Sequence, residues 1–319
     1  MAPPAAAAAT TAALLLLSAA PARAAPAPPA SAPLLGLWEA RGLLAPSNAT
    51  PFDAASLGTW LEITAPDNAT STILPFWSAG FTRSQNASDG SEILTPDGGA
   101  PFFAVRFAPR ALGRHSFVQR FLFEPPPPWL APLQGSFDCV ADGAIAGDGF
   151  AHVGANGQFF TLDDANAFWL VGENMAWAGV WPYFPGSSQY SNGTGGTYAY
   201  DRWLPKLAAA GGNFIRLWIG PSLVRQPEWL GERGTMLGLA LMGSDDGTAI
   251  FGEYNFAAAY RVDYIVELCR RLGVKIALVF DSQQTLCNED TWCFWNASTY
   301  SKCSDIPARH PTAPPRSQP

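Results

Sequence analysis

Residues 198–221 read YAYDRWLPKLAAAGGNFIRLWIGP. Trp203, Leu204, Leu207 and Ala208 recur at helical spacing, and Gly211-Gly212 stops the helix. A short apolar strand, 213–219, follows at once, so the stretch is half of a β/α unit. Its one charge is Arg216, between Ile215 and Leu217. Strands of a parallel sheet are apolar on both faces, so a guanidinium there needs a carboxylate partner or a wet cavity. Arg216 is therefore the first candidate site residue.

The units on either side repeat the pattern. Phe168 to Val171 is an apolar run ending in Gly172-Glu173-Asn174, with Trp177, Trp181 and Tyr183 just after it. Asn255 is a helix N-cap, and Val262, Ile265, Val266 and Cys269 share one face of the helix it opens. Gly273 ends that helix, and Lys275 to Phe280 is a third apolar strand closed by Asp281. Phe150–Val153 and Phe159–Leu162 are expected to pair as a hairpin ahead of the series. Strands alternating with helices imply a parallel βα series, read over 143–305 as the N-terminal part of a (β/α)8 TIM barrel. Polar and aromatic residues gather after the strands' C-terminal ends, where such barrels build sites. A doubly wound sheet is the runner-up. No glycine fingerprint follows a strand, which argues against nucleotide binding.

Upstream the period changes to two. Trp60–Ile63, Phe103–Phe107 and Phe117–Phe123 alternate, with turn clusters at 66–68, 88–90 and 97–99. Region 37–142 is thus expected to be an antiparallel, Ig-like β-sandwich, preceded by an Ala/Pro linker over 25–36. Residues 1–24 read as a secretory signal peptide, with an apolar run at Ala12–Leu17 and a small-x-small site at Ala22-Arg23-Ala24. No later run reaches the ~18 apolar residues of a membrane span. Five N-x-S/T sequons, at Asn48, Asn68, Asn86, Asn192 and Asn296, fit a secreted or cell-wall glycoprotein, Asn48 being the poorest because Pro51 follows its Thr50.

The 319-residue chain carries 48% hydrophobic and 14% charged residues and a net charge of -7, which argues against nucleic-acid binding, since that needs basic patches. Its 12 Trp, 20 Phe and 8 Tyr build cores and offer stacking surfaces for sugar rings. Among five cysteines, Cys269 reads as core, while Cys287, Cys293 and Cys303 are disulfide candidates whose spacing is not a zinc pattern. No metal or other cofactor is expected.

Gly172-Glu173-Asn174, Tyr200-Asp201-Arg202-Trp203, Gly212–Trp218, Gly252–Asn255, Asp263-Tyr264 and Leu278–Asp281 run in an order that resembles glycoside hydrolase family 5-like barrels, the cellulase and endo-mannanase group. Pro51-Phe52, Leu74–Trp77 and Val105–Pro109 with Gly113 resemble the Ig-like domain that precedes some of them. The resemblance covers roughly residues 37 to 300. It implies retaining hydrolysis of a β-linked polysaccharide or oligosaccharide by two glutamates ~5 Å apart. In the family these follow strands four and seven, and no position here matches either, so none is assigned. The pattern is expected to break off after about three barrel strands, with 306–319 a disordered tail, since a whole barrel takes about 250 residues. Arg216 matches the family's strand-two arginine, which supports the nucleophile. Glu173, Asn174, Trp177 and Asp281 complete the substrate-binding or site-supporting set. The alternatives are a non-enzymatic carbohydrate-binding or cell-surface module, and an incomplete gene-model fragment.

Overall fold

The structure, a computed structural model, describes residues 27–43, 57–88, 90, 92–122, 132–141, 149–155, 157–163, 166–175, 196–219 and 255–279. The first ten strands are β1 (Ser31–Pro33), β2 (Trp38–Arg41), β3 (Thr59–Thr64), β4 (Thr70–Ile73), β5 (Phe76–Ser78), β6 (Phe81–Gln85), β7 (Glu92–Pro96), β8 (Phe102–Phe107), β9 (Gly113–Phe121) and β10 (Gln134–Val140). They form a five-stranded sheet in the order β1-β10-β9-β3-β4, a three-stranded sheet β2-β8-β5 and the hairpin β6-β7.

Alternation decides which side chains meet. Along β3 the buried Thr59, Leu61 and Ile63 alternate with half-buried Trp60, Glu62 and Thr64. Ala32, Leu61, Ile63, Phe117 and Phe137 from the larger sheet share one core with Trp38, Ala40 and Val105 from the smaller. Trp38 is its centre, stacked on Phe137 at 4.5 Å and tilted against Phe117 at 5.0 Å. Burying each such aromatic is worth about 1.5–3 kcal/mol, and ring pairing adds about 0.5–1.5 kcal/mol. The buried amide of Gln119 is satisfied: it donates to Thr59 Oγ1 at 2.9 Å, and that hydroxyl donates to the Arg120 carbonyl at 2.8 Å.

The sheet reaches into the stretch read as linker. Ser31–Pro33 pairs parallel with Asp138–Val140, and Ala32 is buried in the core. Alanine and proline content hid this strand, because an edge strand tolerates proline where no ladder donor is needed.

The second region starts with β11 (Ala151–Val153), β12 (Phe160–Leu162) and β13 (Ala167–Phe168), an antiparallel sheet that contains the expected hairpin. Then follow β14 (Gly172–Asn174), α1 (Thr197–Ala209), β15 (Phe214–Trp218), α2 (Phe256–Arg271) and β16 (Lys275–Val279). The three strands are parallel in the order β14-β15-β16. Asn255 caps α2, accepting from the Ala258 N–H at 2.9 Å. Gly211 and Gly273 follow the helices at φ 84° and 70°, the left-handed region that glycine enters without strain. Tyr200 and Leu204 of α1, Ile215 and Leu217 of β15, and Val262, Ile265 and Cys269 of α2 form one buried cluster.

The first strand of this parallel series lies later in the chain than its apolar run suggests. The run 168–171 is split: Phe168 ends β13, and Trp169, Leu170 and Val171 are exposed. Asn213 tethers the connector, donating through its side chain to the Trp169 carbonyl at 2.8 Å and accepting from the Val171 N–H at 2.9 Å. Glu173 and Asn174 therefore lie within the strand and not beyond its end.

Candidate functional site

The register of the parallel sheet sorts the candidates. Asn174, Arg216 and Ala277 are neighbours across β14, β15 and β16, and Glu173, Ile215 and Ile276 form the adjoining row. Side chains of laterally paired residues point to the same face, and consecutive residues point to opposite faces. Ile215 and Leu217 are fully buried against α1 and α2, which makes the Glu173 row the helix side. The Asn174–Arg216 row belongs to the opposite face, together with Gly172, Phe214 and Lys275. The sheet thus unites two of the expected site residues, Asn174 and Arg216, and assigns Glu173 to the other side. All three are exposed.

Backbone bonds fix that row. The Met175 N–H donates to the Arg216 carbonyl at 3.1 Å, and the buried Tyr200 hydroxyl donates to the Met175 carbonyl at 2.6 Å. Burial pushes the Tyr200 phenol well above its ordinary value, so it serves as a neutral donor. Lys275 Nζ donates to the Gly149 carbonyl at 2.7 Å and ties the strand start to the preceding hairpin sheet. Among the described strand positions of the Arg216 face there is no carboxylate. No group of three metal-ligating side chains occurs among the described residues.

Trp177, Trp181, Tyr254, Asp281, Cys287, Cys293, Cys303 and the sequons at Asn48, Asn192 and Asn296 lie outside the described residues. Asn68 is exposed in the β3–β4 turn at φ 65°. Asn86 is half-buried, and its side-chain oxygen accepts from both the N–H and the hydroxyl of Ser88, at 3.0 and 2.8 Å. Cys269 is in the core, where burial pushes its thiol up to about 12.

A second constellation centres on Glu92, Arg83 and Arg261, which the sequence does not single out. Glu92 of β7, nearly fully buried, pairs with Arg261 of α2 at 2.6 Å and with Arg83 of β6 at 3.5 Å. It also accepts from the N–H of Thr197 at 3.0 Å, and from its hydroxyl, at the start of α1. Arg83 bonds Asp201 of α1 and lies over the rings of Tyr198 and Tyr264, 3.4 and 4.1 Å from their centroids. Asp201 also accepts from the Tyr264 hydroxyl at 2.6 Å. Burial raises the Tyr264 phenol, and its bond to Asp201 raises it further.

Beside this cluster, Arg106 of β8 binds Asp263 of α2 and Glu39 of β2. Burial alone would raise the Glu39 carboxyl, but bonds and charge from Arg106 and then Arg41 hold it below its ordinary range. Phe81 meets Tyr260 at 5.8 Å on the same interface. Asp201, Asp263, Tyr264 and Arg106, which the sequence presented as family-like motifs, thus join the two regions. The local sequence carries no trace of these pairings, because the partners are 63 to 169 positions apart.

A smaller surface group occurs at the hairpin sheet. Asp163 accepts from the Phe150 N–H at 2.9 Å, pairs with His152 at 2.5 Å and meets Arg110 at 3.2 Å. The Phe150 N–H first, and these neighbours after it, hold the Asp163 carboxyl below its usual range.

No family model matches the chain, and no curated protein matches it. Among solved structures it is similar to a "putative glycoside hydrolase" from Bacteroides vulgatus, at 15% identity and a TM-score of 0.46, over 79% of this chain and 41% of that one. The chain therefore spans about two fifths of that protein's length. A likeness at this level carries neither fold nor activity across. No described helix is long and apolar enough to cross a membrane.

Proposed function

We propose that the chain is a secreted glycoside hydrolase-like protein whose parallel sheet recognises a β-linked polysaccharide on its Arg216 face. The observation that carries this reading is the register of Asn174 beside Arg216, on the face turned away from both helices. A guanidinium offers five donors in a rigid fork, suited to orienting a carboxylate or gripping sugar hydroxyls. An amide both donates and accepts, as a vicinal diol requires. In retaining hydrolysis, bonds of this kind near the reacting sugar strengthen toward the transition state. The family-like order of motifs from Gly172 to Asp281 gives the reading its sugar chemistry. Arg216 is a positioning residue in it and Asn174 a substrate contact. The catalytic pair is assigned to no described residue.

Titration calorimetry with β-1,4-linked gluco- and manno-oligosaccharides tests this. Arg216→Ala and Asn174→Ala are expected to weaken binding about tenfold each, the loss of roughly one good polar contact. Glu173→Ala, on the helix side, leaves binding unchanged. Equal affinity in all three variants, or no binding by the unaltered chain, overturns the proposal. A reducing-sugar assay on cellulose, mannan and mixed-linkage β-glucan separates recognition from turnover.

A further inference from the structure

The face of β3, β9 and β10 that alternates with the core residues is turned away from them, and its side chains fall into rows. Glu62, Val118 and Gln134 align across the three strands, and Thr64, Ser116 and Ser136 form the next row. Trp60, beside Arg120, heads a third. Strands lie ~4.8 Å apart, so the rows make an orderly lattice of hydroxyl, amide and carboxylate groups. A depression of about 440 Å³ opens among Glu62, Thr64, Ser116, Val118 and Gln134.

Four features separate this surface from an ordinary solvated face. Trp60 is turned outward, although four other positions of β3 are apolar or β-branched and three of the strand's residues are buried. Among the described residues, the side chains of Thr64, Ser116 and Gln134 have no hydrogen-bond partner. Charge is matched in number on this face: Glu62 pairs with Arg120 at 2.9 Å, and Arg114, which donates to the Ser136 hydroxyl at 2.7 Å, lies opposite Asp138 in the register of β9 and β10. No lysine occurs in the three strands, where a face built only for solubility would use them. A surface rich in uncommitted hydroxyl and amide groups, electrically balanced and flanked by an indole, complements a neutral polyhydroxylated ligand. Its two arginines are matched by two carboxylates, so it carries no cationic excess for a polyanion.

The geometry points to a second carbohydrate-binding surface on this sheet, taking a neutral polysaccharide chain along the Glu62–Gln134 depression and the Trp60 row beside it. It rests on the carbohydrate reading of the chain, but it uses no residue of the Arg216 face. The two surfaces hold different parts of one polymer, so that the sheet surface keeps the chain on insoluble substrate.

The test is retention of the full chain on insoluble cellulose, insoluble mannan and curdlan, with polygalacturonate as the charged control. Trp60→Ala is expected to weaken retention about tenfold. The doubly exposed substitution Ser116→Ala with Gln134→Ala does the same without touching the core, which guards against a folding defect in Trp60→Ala. Arg216→Ala reports the other face. Loss in the sheet variants at unchanged unfolding temperature supports the surface, whether or not Arg216→Ala also weakens retention. Loss in Arg216→Ala alone overturns the second surface and leaves the proposed function standing. Retention unchanged in every variant, a preference for polygalacturonate, or no retention of the unaltered chain overturns it as well.

Discussion

Arg106 of β8 grips Asp263 of α2 through two parallel bonds of 2.7 and 2.6 Å, while its Nε donates to Glu39 at 2.7 Å. One guanidinium thus fastens the β-rich region to a helix of the parallel βα region. The fork geometry of arginine suits this bidentate pairing, and a lysine would not reproduce it. Arg106→Met keeps much of the stem's packing and removes the charge. Among the described residues, Glu39 would then keep Arg41 as its ion-pair partner. Asp263 is 42% exposed, so its share is discounted for solvent. The expected loss is about 1–3 kcal/mol, read as a lower urea midpoint. Arg106→Lys should recover less than half of it. An unchanged midpoint in Arg106→Met would show that the clamp is decorative.

Glu92 is the costlier residue to remove. It is 3% exposed and balances Arg83 and Arg261, each 13% exposed. It is also the cap of α1, whose Gly196 offers no side-chain bond of its own. Glu92→Ala leaves Arg83 to Asp201 alone among the carboxylates it is seen to meet, removes the Glu92 bond from Arg261 in a poorly solvated space, and opens the first turn of α1. Losing one partner of such a group costs about 3–5 kcal/mol. We expect a large fall in unfolding temperature together with reduced helical ellipticity. A loss of stability with full helicity would mean that the ion pairs matter and the cap does not.

The acid limb of stability should carry the signature of Glu39. Its folded value lies below the ordinary 4.5, held there by Arg106 and Arg41 against the opposing effect of burial. As pH falls, the unfolded chain takes up the proton first, so the stability that Glu39 contributes is complete above 4.5 and drains away as pH drops through the folded value. Unfolding temperatures followed from about pH 6 to about pH 3 should fall less steeply in Arg106→Met than in the unaltered chain. Parallel slopes would remove Glu39 from the account.

Periodicity carried much of the secondary structure because each element has one dominant face. The apolar positions of α2 and the alternation of β3 are local facts, and Asn255 and Gly273 mark their helix ends in sequence. Two other features were out of reach. Ser31–Pro33 looks like linker by composition and becomes a strand only because β10 offers it an edge. The connector 169–171 is apolar yet exposed, since Asn213, more than 40 positions away, captures its backbone. The same limit applies to the site. Arg216 was conspicuous as a charge in an apolar strand, whereas the division between Asn174 and Glu173 needed the register of β14 on β15.

That register depends on Gly172. A Cβ built there would stand 1.7 Å from the Phe214 carbonyl oxygen and 2.5 Å from its carbon, atoms of backbone that cannot swing aside. The constraint is space, because Gly172 is absent from the left-handed glycines. Gly172→Ala should drive β14 off β15, loosening the Met175–Arg216 bond and the Tyr200 contact behind it. Overpacking of this kind costs about 1–3 kcal/mol. Gly157→Ala is the control: its φ of 70° disfavours alanine, but nothing lies within 4 Å of the new methyl. Gly172→Ala should be the more destabilised of the two, and it alone should weaken oligosaccharide binding by displacing Asn174 from Arg216. Equal stability in the two variants, with binding intact in both, would mean that β14 does not set the spacing of the proposed site.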